Sequence, residues 1–191
     1  NWRGLIDELI GKSEGISHGI GSSQHLFEPG FMSNGPQGSL LPVAAGLALS
    51  AIKKKTNDLV LSFIGEGTLG EGIVYETLNL SSVMNLPHII LCENNLYSQS
   101  TPQSSSMVGL ITDRAKAFGW TCIEANTWDV EDLFTRGNHA IEGVRQGQGP
   151  CFINIATYRL NAHSKGDDNR PSDEIATFKE LDPLNRIIEE H

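Results

Sequence analysis

Only three cysteines occur in the 191 residues, Cys92, Cys122 and Cys151, and they lie far apart. That spacing argues against a cysteine metal cluster and points to reduced thiols in the core. Positive charge is also scarce: 14 Lys and Arg stand against 23 Asp and Glu, a formal net charge of −9. A nucleic-acid surface would need a basic stripe, and an anionic membrane would repel such a chain, so neither partner is expected. Long apolar runs are missing too. The most apolar segment, 40–52, is broken by Pro42 and Gly46 and followed by Lys53-Lys54-Lys55, too short and interrupted to span a bilayer. No signal peptide, internal repeat or low-complexity tract is read. What remains, with 39% hydrophobic residues, suits a single cytoplasmic domain over 1–191 with one core.

Strand-like and helix-like segments alternate, which predicts an α/β fold: a mostly parallel sheet with helices on both faces. Helices are expected at 42–55, with close packing through Ala44-Ala45-Gly46, at 71–85 with Ile73, Val74, Leu78 and Leu80 or Ser81 near one face, at 110–118, and at 130–145 behind an Asp129 N-cap. Strands are expected at 59–64, as a central strand, and at 88–92, 121–124 and 151–155. Residues 1–41 are glycine-rich and fall outside this pattern, and 164–174 reads as a mobile polar loop.

Two segments carry chemistry. The run Leu59-Val60-Leu61-Ser62-Phe63-Ile64 leads into Gly65-Glu66-Gly67-Thr68-Leu69-Gly70-Glu71-Gly72, and Asn94-Asn95-Leu96-Tyr97 follows a second apolar run, with Asn95 29 residues after Glu66. Both groups would sit at carboxyl ends of strands, where open α/β sheets bind ligands. Mg2+ takes oxygen ligands from one or two side chains, with phosphate and water completing its octahedron. Glu66, the Asn95 amide oxygen and a nearby carbonyl suit it. Gly67 and Thr68 could offer backbone N–H groups to a diphosphate at a helix N-terminus. A dinucleotide site is disfavoured, because the glycines do not give Gly-x-Gly-x-x-Gly from Gly65 and no acidic residue closes a following strand. Taken singly, each segment also reads as an ordinary βα turn or Asn-Asn turn.

At these residues the chain resembles the thiamine diphosphate-binding motif, Gly-Asp-Gly followed at a similar distance by Asn-Asn. In particular it is similar to the alpha subunits of the decarboxylating first component of pyruvate, branched-chain and acetoin dehydrogenase complexes. Gly21-Ser22-Ser23-Gln24-His25-Leu26-Phe27 resembles the family's Gly-Gly-Ser-Met-His-Leu-Phe, and Gly35-Pro36-Gln37-Gly38-Ser39 its glycine-rich loop before a small-residue helix. Glu76 to Leu80, Leu86-Pro87, Ser100-Thr101-Pro102 and Thr157 to Ser164 extend the likeness, which runs from about Gly15 to Arg186.

The resemblance implies a thiamine diphosphate fold, thiamine diphosphate and Mg2+ as cofactors, and metal ligation by Glu66, Asn95 and the Tyr97 carbonyl. It places Gly65, Gly67 and Thr68 at the diphosphate, Gly35 and Gln37 at the aminopyrimidine, His163 near the diphosphate and His25 towards the substrate. It implies decarboxylation of a 2-oxo acid with acyl transfer to a lipoyl domain, and a beta-type partner subunit in an α2β2 assembly. Two alternatives stay open: transketolase-like transfer of a two-carbon unit to a carrier protein, and a noncatalytic structural subunit. The chain departs from the family at Glu66, where Asp is usual, at Gln99, where an apolar side chain is usual, and at Ala162, where glycine is usual. Ser164 stands where mitochondrial members are phosphorylated. Both ends are short relative to the family, so the aromatic-arginine pair of its N-terminal part would have to be replaced, with Arg159 or Lys165 as basic candidates. On an extended strand Arg159 and His163, four apart, would face one side.

Overall fold

The computed structural model describes residues 2–190; Asn1 and His191 lie outside the described residues. Its contacts form two compact units, 1–40 and 41–191. In the first, helix α1 (Trp2–Leu9) carries Glu8 near its end. The buried Glu8 carboxylate accepts backbone N–H groups from Ser17 at 2.7 Å, Gly19 at 2.9 Å, Gly21 at 2.7 Å and Ser22 at 3.2 Å. Burial alone would raise its pKa, yet these four donors together hold it below the ordinary glutamate value. A glycine-rich stretch with little side-chain volume is thus wrapped around one buried anion. A small antiparallel pair, β1 (Phe27–Glu28) and β2 (Phe31–Met32), follows.

The second unit is the α/β layer structure. Helix α2 (Leu40–Lys54) buries Leu41, Ala44, Ala45, Ala48 and Ala51, an i, i+3, i+4, i+7 stripe. Gly46 falls off that stripe and is exposed, so the close packing comes from alanines and not from the expected Ala-Ala-Gly surface. The chain continues through β3 (Val60–Gly65), a 3-10 turn (Glu66–Gly70), α3 (Gly72–Val83), β4 (His88–Asn94), a hairpin of β5 (Tyr97–Ser98) and β6 (Thr101–Pro102), α4 (Gln103–Ser106), α5 (Ile111–Lys116), β7 (Thr121–Asn126), α6 (Val130–Arg145), β8 (Cys151–Ala156), α7 (Ser172–Glu180) and α8 (Pro183–Glu190). Asp129 caps α6 as expected, its side chain accepting the Asp132 N–H at 3.0 Å.

Four strands pair in the order β3-β4-β8-β7, all parallel. Side chains alternate between the two faces. Ile64, Ile90, Cys92 and Phe152 pack with Leu41, Val74, Leu78, Ile111 and Ala115 from α2, α3 and α5. Ile89, Ile153 and Ile155 pack with Ala140 and Val144 from α6. Helices therefore cover both faces, as the alternating sequence predicted. On α3 the buried positions are Val74, Thr77, Leu78 and Ser81, while Leu80 points outward at 46% exposure.

Three expectations are corrected. β3 is an edge strand among the described residues, not a central one, and the face that α6 does not reach leaves Leu61 and Phe63 at 44% and 66% exposure. β8 ends at Ala156 and 157–163 is irregular, so strand alternation does not place Arg159 and His163. The polar loop expected at 164–174 ends early: Pro171 opens α7, and Asp173 and Glu174 sit in its first turn, where carboxylates favour the helix dipole. Within the core all three cysteines are free thiols, and burial pushes the Cys151 pKa up to about 12. No described helix is long and apolar enough to cross a membrane.

Candidate functional site

β3 and β4 run side by side with Gly65 opposite Glu93, so Glu66 and Asn95 leave the sheet together at its carboxyl edge. The Glu66 side chain turns inward and is 2% exposed. Its Oε2 accepts the Asn95 backbone N–H at 3.4 Å, while its Oε1 is buried without a hydrogen-bond partner. An unpaired buried carboxylate oxygen is costly, and a bound cation would offset that cost. Among the described residues no three His, Cys, Asp or Glu side chains converge on one point. A cation held here would therefore meet one carboxylate and neutral oxygens, a donor set that suits Mg2+ with phosphate and water as its remaining ligands.

Asn95 and Tyr97 supply such oxygens. The Asn95 Oδ1 accepts the Tyr97 N–H at 3.0 Å, which closes a tight turn and leaves the oxygen's second lone pair. Leu96 in this turn takes φ +70°. Its carbonyl accepts the Gln103 N–H at 2.8 Å, so by the alternation of an antiparallel ladder the next residue, Tyr97, occupies a non-hydrogen-bonded position. Its backbone carbonyl is turned away from β6. Gly67 lies against Ser98 so tightly that a Cβ would collide with the Ser98 hydroxyl, which explains why this position is glycine. Gly65 and Gly67 are exposed at the edge and Thr68 is buried beside Glu66. Gly67 and Thr68 belong to the 3-10 turn, and the α-helix proper begins at Gly72 behind a Glu71 N-cap.

The third strand reaching this edge is β8, and the Thr157 N–H donates to the Asn94 carbonyl at 2.9 Å. The chain beyond it carries His163, which is exposed on the loop. That loop is pinned by residues the sequence did not single out. Arg170, its side chain 2% exposed, pairs with Asp168 at 2.7 Å and donates to the carbonyls of Arg159 at 2.5 Å and Asn161 at 3.0 Å. The bond from Arg170 holds the Asp168 carboxyl at a pKa of about 2, against the desolvation that would raise it. Arg159 in turn donates to the Gln99 carbonyl at 2.7 Å, so it braces the β5–β6 hairpin. Gln99, at φ +57°, has an exposed side chain. Ser164 donates its hydroxyl and its N–H to Asp167, both at 2.9 Å, and Lys165 is exposed.

Glu174 and Phe178, one turn apart on α7, complete this side. Glu174 accepts the phenol of Tyr97 at 3.0 Å and that of Tyr158 at 2.6 Å. Phe178 stacks on Tyr158 at 3.9 Å between centroids. Burial, then the bond to Glu174, raises the Tyr158 pKa to about 12. The usable signal for this group was Pro171-Ser172-Asp173-Glu174, a proline followed by carboxylates as at a helix start.

Glu66, Gly67, Asn95 and Tyr97 thus come together in the second unit. His25, Gly35 and Gln37 fall in the first, where a Cβ on Gly35 would meet the Gln24 Oε1 at 3.1 Å and the His25 Cε1 at 3.6 Å. Of the clefts formed by the chain, one lies at the amino edge of the sheet among Asn57, Asn85 and Arg145, and another around Arg3, Asp7 and Lys12. None of these predicted site residues lines either.

Residues 2–190 match a family model described as the dehydrogenase E1 component. The alpha subunit of the pyruvate dehydrogenase E1 component of Rickettsia bellii is 32% identical over 189 residues, 96% of this chain and 58% of that protein. The alpha subunit of the acetoin:2,6-dichlorophenolindophenol oxidoreductase of Bacillus subtilis is 35% identical over 191 residues, 98% of this chain and 55% of that protein. Transketolase from Campylobacter jejuni shares the fold, with TM-score 0.58 and 25% identity over 65% of this chain and 20% of that one. The chain therefore spans little more than half the length of these curated relatives. Its carboxyl-edge glutamate and asparagine sit in a parallel sheet of matching architecture, and the chain belongs to the dehydrogenase E1 component family, aligned with its alpha subunits.

Proposed function

We propose that this chain is the alpha-type half of a thiamine diphosphate- and Mg2+-dependent enzyme that decarboxylates a 2-oxo acid and passes the acyl group to a lipoyl domain. The observation that carries the reading is the buried, unpaired Glu66 Oε1 beside Asn95 at the carboxyl edge of the sheet. In this reading Glu66, the Asn95 Oδ1 and the Tyr97 carbonyl hold Mg2+. The N–H groups of Gly67 and Thr68 meet the diphosphate with Gly65 beside them, and His163 acts at its flank. Gly35, Gln37 and His25 are assigned by their positions in the family motif alone, the first two to the aminopyrimidine and His25 to the substrate side.

Bound there, the cofactor would supply the nucleophilic carbon and the electron sink that decarboxylation of a 2-oxo acid requires. The chain's own task is to bind and orient. Glu66 would offset part of the cation's charge, the glycine turn would leave its backbone N–H groups open to phosphate oxygens, and His163 would offer a ring nitrogen to a phosphate oxygen or to a proton in transfer. The aminopyrimidine side is completed by a beta-type partner in an α2β2 assembly, in a cytoplasmic setting. The similar proteins carry pyruvate and acetoin names, which favours this chemistry over two-carbon transfer from a ketose.

The test is Glu66→Ala. It is expected to weaken Mg2+-dependent thiamine diphosphate binding by more than the ~100-fold that loss of an outer partner of a metal ligand can cost, with fold and partner association kept. Unchanged cofactor affinity in that variant would sink the site.

A further inference from the structure

We propose that Glu174 is a positioning residue for the metal-binding loop: by holding the Tyr97 phenol it fixes the backbone carbonyl that the same residue turns towards the cation. The inference rests on the assignment of Glu66, Asn95 and Tyr97 to Mg2+ made above. Both oxygens of Glu174 are used, Oε2 by Tyr97 at 3.0 Å and Oε1 by Tyr158 at 2.6 Å, so one carboxylate ties the β5–β6 hairpin to the chain leaving β8. The Arg170 guanidinium lies 5.7 Å from the Tyr97 ring and 5.0 Å from the Tyr158 ring, and is itself anchored by Asp168 and the Arg159 and Asn161 carbonyls. The guanidinium is thus within cation–π reach of both rings and favours their present orientation.

The hairpin needs such an anchor. Its strands are two residues each, and Leu96 and Gln99 take φ values of +70° and +57°, so its own ladder gives it little rigidity. Glu174 lies 77 residues further along the chain, on a helix whose Phe178 stacks on Tyr158 with an interplanar angle of 9°. Docking of α7 through that stack sets the carboxylate, the carboxylate sets the Tyr97 ring, and the ring sets the peptide that offers the carbonyl. An outer partner of a metal ligand acts in this way, through orientation and without touching the ion.

The experiment titrates Mn2+, read by electron paramagnetic resonance, into the full-length protein assembled with its partner subunit in saturating thiamine diphosphate. Glu174→Ala is expected to weaken Mn2+ binding about 10-fold, and Glu174→Gln, which keeps an acceptor oxygen, to recover part of that loss. Tyr97→Phe keeps the carbonyl and removes the phenol; it is expected to lose Mn2+ affinity to a similar degree, and it decides the matter if Glu174→Ala does not fold. Wild-type Mn2+ affinity in Glu174→Ala and Tyr97→Phe, with or without a lower melting temperature, overturns the positioning role. Glu66→Ala in the same series separates the two levels. If it abolishes Mn2+ binding while the other variants bind normally, only the role of Glu174 fails; if it too binds normally, the metal site itself is wrong.

Discussion

A buried histidine and a buried glutamate in this chain have opposite surroundings. His88 is fully buried, its Nε2 2.8 Å from the Ser62 hydroxyl and its Nδ1 3.3 Å from the Ser81 hydroxyl, with Trp120 edge-on at 5.6 Å. Both nitrogens have neutral partners, and burial lowers its pKa to about 4. The unfolded chain takes up a proton there below its ordinary value of 6.5, which the folded chain refuses until about 4, so stability falls as pH drops through that window. The loss at pH 5 should be ~2 kcal/mol relative to pH 7. Denaturant unfolding of the wild type and His88→Gln at both pH values checks this; an equal pH dependence in the two would refute it. Glu66, by contrast, keeps an oxygen without a partner, the feature that a ligand site requires and a core does not. For His163→Ala the expected result is thiamine diphosphate binding weakened about 10-fold with Mg2+ binding kept, since one hydrogen bond to a charged phosphate is lost. Full cofactor affinity and full activity would return His163 to the exposed surface loop. Glu66 and Asn95 were legible because their spacing and the glycines around them are local in sequence. Glu174 was not, because its bond to Tyr97 spans 77 residues, and Arg170 was not, because an arginine in a polar stretch reads as surface until the loop folds its carbonyls around it.

The elements that carry the site are a strand, a tight turn and a helix on one side, and a strand and a short hairpin on the other. They touch at Gly67 and Ser98. Gly67→Ala should cost about 2 kcal/mol in thermal unfolding and weaken cofactor binding, because the added methyl meets the Ser98 side chain. Combining it with Ser98→Gly should restore much of both; a neutral Gly67→Ala would mean that the turn is looser than described. The loop of residues 161–170 makes a separate, pH-dependent contribution. Asp168 is held at about 2 by Arg170 against an ordinary 3.8, so its support is complete above about pH 4 and is lost as pH falls towards 2. Amide exchange in 161–170 should accelerate across that window in the wild type, beyond the intrinsic pH trend, and lack the extra rise in Asp168→Asn. The four strands of the parallel sheet were legible at this scale because apolar runs mark them, whereas the two-residue strands of the two hairpins were not. Helix α7 was missed, because a polar stretch of Asp, Ser and Glu reads as a loop until the preceding Pro171 is taken as a start signal. The place of β3 in the sheet was misjudged as well, since an apolar run resembles a buried central strand whether or not a neighbour pairs with its outer edge.

At the scale of the whole molecule, the parallel sheet gathers the proposed ligand site at one edge. Carboxyl ends of β3, β4 and β8 bring Glu66, Asn94-Asn95 and Thr157 to that edge, in a register that pairs the buried core residues Ile64 and Cys92. The fold class was legible from the alternation of segments alone; the sequence set 1–41 apart only as a glycine-rich stretch within a single domain and gave no sign of the buried Glu8 around which it wraps. The chain spans 58% of its Rickettsia bellii relative. The decisive measurement is a calorimetric titration of thiamine diphosphate into the full-length protein co-expressed with a beta-type partner, with and without Mg2+. Saturable binding that requires Mg2+ and disappears in Glu66→Ala is the predicted result. No binding by a well-folded complex, or binding indifferent to Mg2+, would contradict it and favour a structural subunit.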